Sequence, residues 1–541
     1  MFTINVRKEQ LAWTQIDKNF IRGYAFFDNI LLKQNSLLVK LSDSIILGKD
    51  QPELCKILNK LNGSFSAILF KNDIYYLISD KLKSFPLLFY VENDYIYISD
   101  NGLWLTTQFS GVKINEKSML YLVSTGYSSN SETVYENLFL VRPGSFVQIN
   151  DAGCFSEKKY HHYVNQEVLL PASVEDLCNT AKQILVNAFE RTIRSTESKT
   201  VVLPLSGGYD SRLIACLCKS FGLENVICYT YGVKGSQEVV VAEKIAEKLG
   251  YPWYFIEYSD DAIRDFFKKE DFINYFNYAV NYSSLCHYQD FIAVKSLIEM
   301  NIIGKNCVII PGHQGDLFRG EHLGNASGNE QDVSQLTLDK YFHLNHLSKS
   351  QKRIIKEDLD EYFASINKEN RTFNSLTLLT NWYFVARQSN YIINSARVYE
   401  YLGIEWRVPF WDDEHVHFWL NIVSKRKFSL FEHFIFTRFF KEFGVDFPKE
   451  KNRLTQFLTA VKLPANLKDI IKHQLIKIIP YFKNRYGQNN VSEEYKQLFQ
   501  LLDNYISKYC SKKGKTSLSL LAILHEKQYL SLTSKNKYYQ Q

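Results

Sequence analysis

The chain has 541 residues, 45% hydrophobic and 23% charged, which excludes an intrinsically disordered chain and predicts two or three domains rather than one. The formal net charge of +6, from 64 Lys and Arg against 58 Asp and Glu, is too small over this length to imply a nucleic-acid or membrane partner. The nine cysteines fall in no metal-ligand spacing, so free thiols in a reducing compartment are expected.

The first residues, "MFTINVRKEQ", carry early charge and no apolar core segment, so no signal peptide is read there. No run reaches the ~18 apolar residues that a membrane helix needs. The expectation is a cytoplasmic protein with neither a membrane nor a nucleic-acid partner. Short β-rich runs follow: "SFSAILF", "IYYLIS", "LLFYV", "YIYIS", and later "RPGSFVQIND". Turn residues separate them, which predicts an antiparallel, layered domain over residues 1–165.

From residue 171 the pattern changes. "SVEDLCNTAKQILVNAFERTIR" has helical spacing and a start signal at Ser173. Next come a strand at 201–205, a glycine turn, a helix to about 220, strand "VICYTYG", helix "SQEVVVAEKIAEKLG" and strand "WYFIEY". A buried strand, "CVIIPG", enters near 307–312. Strands alternating with helices predict an α/β domain over 171–450, a doubly wound parallel sheet with helices on both faces. Beyond about 330 the chain reads as mostly helical, and 451–541 as a helical extension.

Ligands of open parallel sheets bind at the carboxyl ends of the strands. "SGGYDS", 206–211, stands at such an end. Gly207 and Gly208 let backbone N–H groups approach an anion, and the following helix N-terminus favours negative charge. Ser206 and Ser211 can donate to phosphate oxygens. Asp210 is unsuited to bare phosphate but suited to a Mg2+ held between them. "VIIPGHQGDLFRG", 308–320, repeats the pattern with Gly312, Gly315 and Asp316. Asp210 and Asp316 together would hold the metal. In "GIEWRVPFWDDEHV", Glu405, Arg407, Asp412 and Asp413 are dense charge among aromatics, which fits either a site or an internal ion-pair network that docks helices.

Taken together, these segments resemble the asparagine synthetases and their relatives, the β-lactam synthetases. "SGGYDS" resembles their pyrophosphate loop, and "YGVKGSQEVVVAEKIAEKLG" their adenine-side strand, turn and helix. "GHQGD" resembles the second metal loop. "LNGSFSAILFKNDIYYLISDKLKSFPLLFY" and "LVRPGSFVQI" resemble the family's glutaminase domain. The resemblance implies a PP-loop ATP pyrophosphatase fold after an Ntn-hydrolase-like αββα domain. It implies ATP and Mg2+ as cofactors, held by Leu205, Ser206, Gly207, Gly208, Asp210, Ser211, Tyr231 and Gly312, with Asp210 and Asp316 on the metal. It implies catalytic roles for His313, Lys427, Glu405 and Arg407. A carboxylate, small or peptidic, would be adenylated with release of pyrophosphate, and an amine or ammonia would then displace AMP to form an amide. A homodimer is one arrangement the resemblance allows.

Two departures alter that expectation. The family's glutaminase nucleophile is a Cys after the initiator Met; here position 2 is Phe2, and no Cys precedes Cys55. Glutamine hydrolysis is therefore expected to be absent, with Asn62-Gly63 surviving for packing. His313 stands where asparagine synthetases have Glu and β-lactam synthetases have Tyr, and a His there could act as a base near neutral pH. Leu317 replaces an acidic residue. The alternatives are an intramolecular cyclase and a non-catalytic or regulatory ATP-binding relative.

Overall fold

The computed structural model describes residues 2–447 apart from short stretches, the longest being 165–172 and 324–331. The predicted extension 451–541 lies outside the described residues. Among the described residues, no helix is long and apolar enough to cross a membrane.

The first eleven strands are β1 (Phe2–Asn5), β2 (Thr14–Ile16), β3 (Asn19–Phe27), β4 (Ile30–Lys33), β5 (Asn62–Lys71), β6 (Ile74–Ser79), β7 (Leu88–Glu92), β8 (Tyr95–Ser99), β9 (Leu138–Leu140), β10 (Ser145–Asn150) and β11 (Phe155–Lys159). They form a four-stranded sheet in the order β1-β8-β7-β9. A second sheet runs β11-β10-β6-β5-β3-β2, with β4 added beside β3. Side-chain alternation explains the layering. In β6, Tyr75 and Leu77 join Phe89, Ile96 and Ile98 in a core between the sheets. Tyr76 and Ile78 point the other way, into a core with Leu37, Leu41, Leu54 and Leu58 of the helices Gln34–Ser44 and Pro52–Lys60. Leu88 and Tyr90 of β7 similarly face Leu105 and Met119, from helices behind the smaller sheet. The layers run helix, sheet, sheet, helix. The antiparallel expectation holds except at β1, which pairs β8 in parallel, as their separation of ninety residues allows.

Helix Val174–Thr196 begins at Ser173, whose hydroxyl accepts from the Asp176 N–H at 3.1 Å while Asp176 accepts from the Ser173 N–H at 3.2 Å. It leads into a second sheet system: β12 (Thr200–Pro204), β13 (Val226–Gly232), β14 (Trp253–Glu257), β15 (Cys307–Ile309) and β16 (Glu405–Trp406). These five strands are all parallel, in the order β14-β13-β12-β15-β16. From β12 the chain steps outward to β13 and β14, then returns to β15 on the other side. The reversal lies between β12 and β15, and a crevice opens there at the carboxyl ends. Among the described residues beyond 330 the chain is mostly helical, as expected, apart from β16. Two residues are too few to show a strand period, and only pairing to Val308 and Ile309 makes them one.

One continuous core joins the layered part to the parallel sheet. Buried Arg22 of β3 donates to Glu400 Oε2 at 2.8 Å; Glu400 Oε1 accepts from Trp406 Nε1 at 2.8 Å and from Arg397 at 2.7 Å. Nearby, Arg191 grips Asp412 with two 2.8 Å bonds, Asn62 donates to Asp412 at 2.8 Å, and Lys81 pairs with Asp413.

Candidate active site

β12 ends where its apolar run meets Ser206, and the next helix, Tyr209–Ser220, starts three residues later. The intervening turn closes on itself. Ser206 N–H donates to Ser211 Oγ at 3.0 Å, the two hydroxyls lie 3.0 Å apart, and Gly208 N–H donates to Ser206 Oγ at 3.2 Å. Arg212, fully buried, braces it from behind: it donates to the Gly207 carbonyl at 2.8 Å and to the carbonyls of Val445 and Phe447 at 3.0 and 2.8 Å. Gly207 serves this brace and does not line the cavity in front of the loop.

The turn after β15 packs directly on that loop. A Cβ on Gly312 would stand 2.7 Å from the Ser211 nitrogen. Only glycine lets the two strand ends approach so closely. Between them opens a cavity of about 320 Å3. Leu205, Ser206, Gly208, Asp210 and Ser211 line it from one loop, and Gly312 and His313 from the other. Tyr231 lines it from the end of β13 and stacks on Tyr258 at 4.8 Å. Asp210 accepts from Arg319 at 3.3 Å. Asp316 falls in the short helix Gly315–Arg319, but its side chain lies outside the described residues. Among the described residues, no group of three or more His, Cys, Asp and Glu could hold a metal ion by itself. Asp210 alone still suits Mg2+, which takes one or two carboxylates and completes its shell with phosphate oxygens and water.

His313 and Ser395 share a hydrogen bond of 2.9 Å between Nε2 and Oγ. Ser395 lies in the turn Ile393–Ala396, just after a π-helical segment, Tyr383–Ile392, of the wide-turn kind that often marks functional sites. Burial lowers the His313 pKa to about 4, so the imidazole is neutral throughout the neutral range.

The other catalytic candidates stand elsewhere. Glu405, on β16, pairs with Lys199 and with Arg407 at 2.7 Å, and Arg407 also donates to Ser195 Oγ at 2.7 Å. Neither lines the cavity; the geometry is that of a network clamping the sheet edge to helix Val174–Thr196. Lys427 is buried in helix Ser424–Ile435 and does not line the cavity either. It stands one turn before Phe431, on the face that meets Phe318 of the short helix carrying Asp316 at 5.5 Å.

Three residues at the site had drawn no notice in the sequence. Arg212 and Ser395 leave no local signal, because what they bond to is distant in the chain. Asp290 had one: it is the sole acid in "YSSLCHYQDFIAV". It lines the cavity, and the hydroxyls of Tyr399 and Tyr229 donate to its Oδ2, the second at 3.4 Å. Burial raises its pKa, against the lowering effect of hydrogen bonds from Tyr399, Tyr231 and Tyr229.

Glycine-lined strand ends at a topological switch point, with one carboxylate between them, define a nucleotide-type site on an α/β sheet. Residues 180–284, which hold β12, the 206–211 loop, β13 and β14, match the family model described as asparagine synthase. That family comprises ATP-using, amide-forming ligases. Among solved structures, the NH3-dependent NAD synthetase of Campylobacter jejuni subsp. jejuni NCTC 11168 aligns at 19% identity over 37% of this chain and 80% of its own, with a TM-score of 0.19. The NMN synthetase of Francisella tularensis aligns at 16% identity over 35% and 71%, TM-score 0.18. A glutamine-dependent NAD(+) synthetase from Cytophaga hutchinsonii aligns at 11% identity over 68% and 77%, TM-score 0.19. No curated protein matches the chain.

Proposed function

We propose that the chain is an ATP-dependent ligase that adenylates a carboxylate, releasing pyrophosphate, and then joins it to an amine with loss of AMP. The observation that carries this reading is the meeting of the 206–211 loop with the 312–315 turn across one cavity, with Asp210 between them. Backbone N–H groups of the loop and the N-terminus of helix Tyr209–Ser220 would hold the phosphates by fixed dipoles. Asp210, with Asp316 as its second carboxylate, would hold Mg2+, which when bound offsets charge on the triphosphate. His313, neutral and tied to Ser395, would take the proton from the incoming amine.

The layered part, residues 1–165, is read as a glutaminase-like domain of the Ntn-hydrolase type without glutamine hydrolysis. Phe2 packs its ring 4.5 Å from Tyr75, and a Cβ on Gly63 would stand 2.4 Å from the Tyr24 carbonyl oxygen, both consistent with a packing role. The test is ATP–pyrophosphate exchange over a panel of carboxylates, with AMP followed as co-product. Exchange with no carboxylate in the panel, alongside measurable Mg·ATP binding, would favour the non-catalytic alternative.

A further inference from the structure

Asp290 stands at the N-cap of helix Phe291–Glu299, yet its side chain makes no capping bond. An aspartate there normally caps its helix by accepting from a first-turn N–H. Here the carboxylate turns instead to the cavity and to tyrosine hydroxyls. The cavity wall around it is aromatic: Tyr229, Tyr231, Tyr258, Tyr288 and Tyr399. Among the described residues, no lysine, arginine or histidine pairs with Asp290. Among the described residues the charged ones lining the cavity are Asp210, Glu238 and Asp290, all acidic, and no lysine or arginine. Asp210 is paired with Arg319 and suits a metal on the phosphates, whereas Asp290 has hydrogen bonds but, among the described residues, no counter-charge.

A carboxylate out of water is costly unless a positive charge joins it. Aromatic side chains around a carboxylate form a surface that favours cations, through the ring quadrupole and direct Coulomb attraction. We propose that this part of the cavity is a substrate subsite for a positively charged nitrogen, an organic ammonium or guanidinium group held by Asp290 among the tyrosines. The proposal rests on the ligase reading only for calling the bound molecule a substrate. Tyr399 stands one helical turn beyond Ser395, the partner of His313, so the subsite adjoins the imidazole proposed to act in amide formation.

The test is titration calorimetry on the full chain with benzylammonium, agmatine and benzyl alcohol, the last being the neutral counterpart of the first. The cations are expected to bind wild type at least roughly tenfold more tightly than benzyl alcohol. Asp290→Asn should erase that preference, and Tyr399→Phe should weaken it several-fold, while Mg·ATP affinity stays within about twofold of wild type. Equal binding of benzylammonium and benzyl alcohol by wild type overturns the proposal without needing any variant. So does a preference that survives Asp290→Asn, or no binding of either cation. If Asp290→Asn instead weakens Mg·ATP and spares the cations, the carboxylate reads the nucleobase and the proposal is wrong. Failure of pyrophosphate exchange with cation binding intact would remove the ligase reading and leave the subsite standing.

Discussion

Gly315 lies against Asp210 so closely that a Cβ at position 315 would stand 1.9 Å from the Asp210 Oδ2. Two loops more than a hundred residues apart are thereby held in one geometry. Gly315→Ala must push the Asp210 carboxylate aside. Displacement of a positioning group by about 1 Å can cost 10²-fold in rate, so pyrophosphate exchange should fall by about that factor. The circular dichroism spectrum should be unchanged. Wild-type exchange in Gly315→Ala would mean that Asp210 is not needed where it stands.

Asp210→Asn and Asp316→Asn should each suppress AMP formation. If both carboxylates serve one Mg2+, the double variant should be little worse than either single one, because groups that act as a unit are not additive. The check is a double-mutant cycle at saturating and limiting Mg2+. Fully additive losses would assign the two carboxylates to separate tasks.

His313→Gln should leave exchange intact and slow amide formation by roughly 10²-fold or more, the scale for losing a general base. Burial lowers the His313 pKa to about 4, so the neutral form is present above that value and is lost as pH falls through it. The wild-type second step should therefore show its acidic limb near pH 4 rather than in the ordinary histidine range. Loss of exchange and amide formation together in His313→Gln would assign the residue to nucleotide binding or loop structure.

Acid should destabilise the fold above the ordinary carboxylate range. Burial lowers His287 and His415 to about 3 and His313 to about 4, and holds His161 well below its ordinary value. Each is neutral in the native state and protonated when unfolded below about pH 6.5. The unfolded chain then binds more protons, so stability decreases as pH falls, by on the order of 2 kcal/mol per histidine by about pH 5. Asp80, raised to about 6 by burial, acts in the opposite direction, since its native form takes up a proton first, and Asp290 and Asp413, also raised by burial, act the same way. The four histidines outnumber these three, and Tm measured from about pH 7 to pH 5 should fall. A flat or rising Tm over that range would show these histidines already charged in the native state.

Glu405→Gln should leave pyrophosphate exchange at the wild-type rate, because Glu405 lies in the clamp at the sheet edge and not on the cavity. Weakening its pairs with Arg407 and Lys199 should cost about 1–2 kcal/mol, a fall of a few degrees in Tm. A loss of exchange with unchanged Tm would return Glu405 to the catalytic set.

The loop 206–211, the turn 312–316 and the strands feeding them were legible in the sequence, because each depends on local chemistry. Apolar runs ended by glycines read as buried strands meeting an anion-binding turn, and Ser173 read as a helix start. The tertiary structure alone decided what depends on distant partners. β16 became a strand only by pairing with β15. Glu405 and Arg407, as charged and as densely set as catalytic residues, were drawn to the sheet edge by Lys199 and Ser195. Burial, which no local pattern encodes, moved His313 out of the neutral titration range. Asp290 was a lone acid in an aromatic stretch until folding brought Tyr229 and Tyr399, from two other elements, onto its carboxylate.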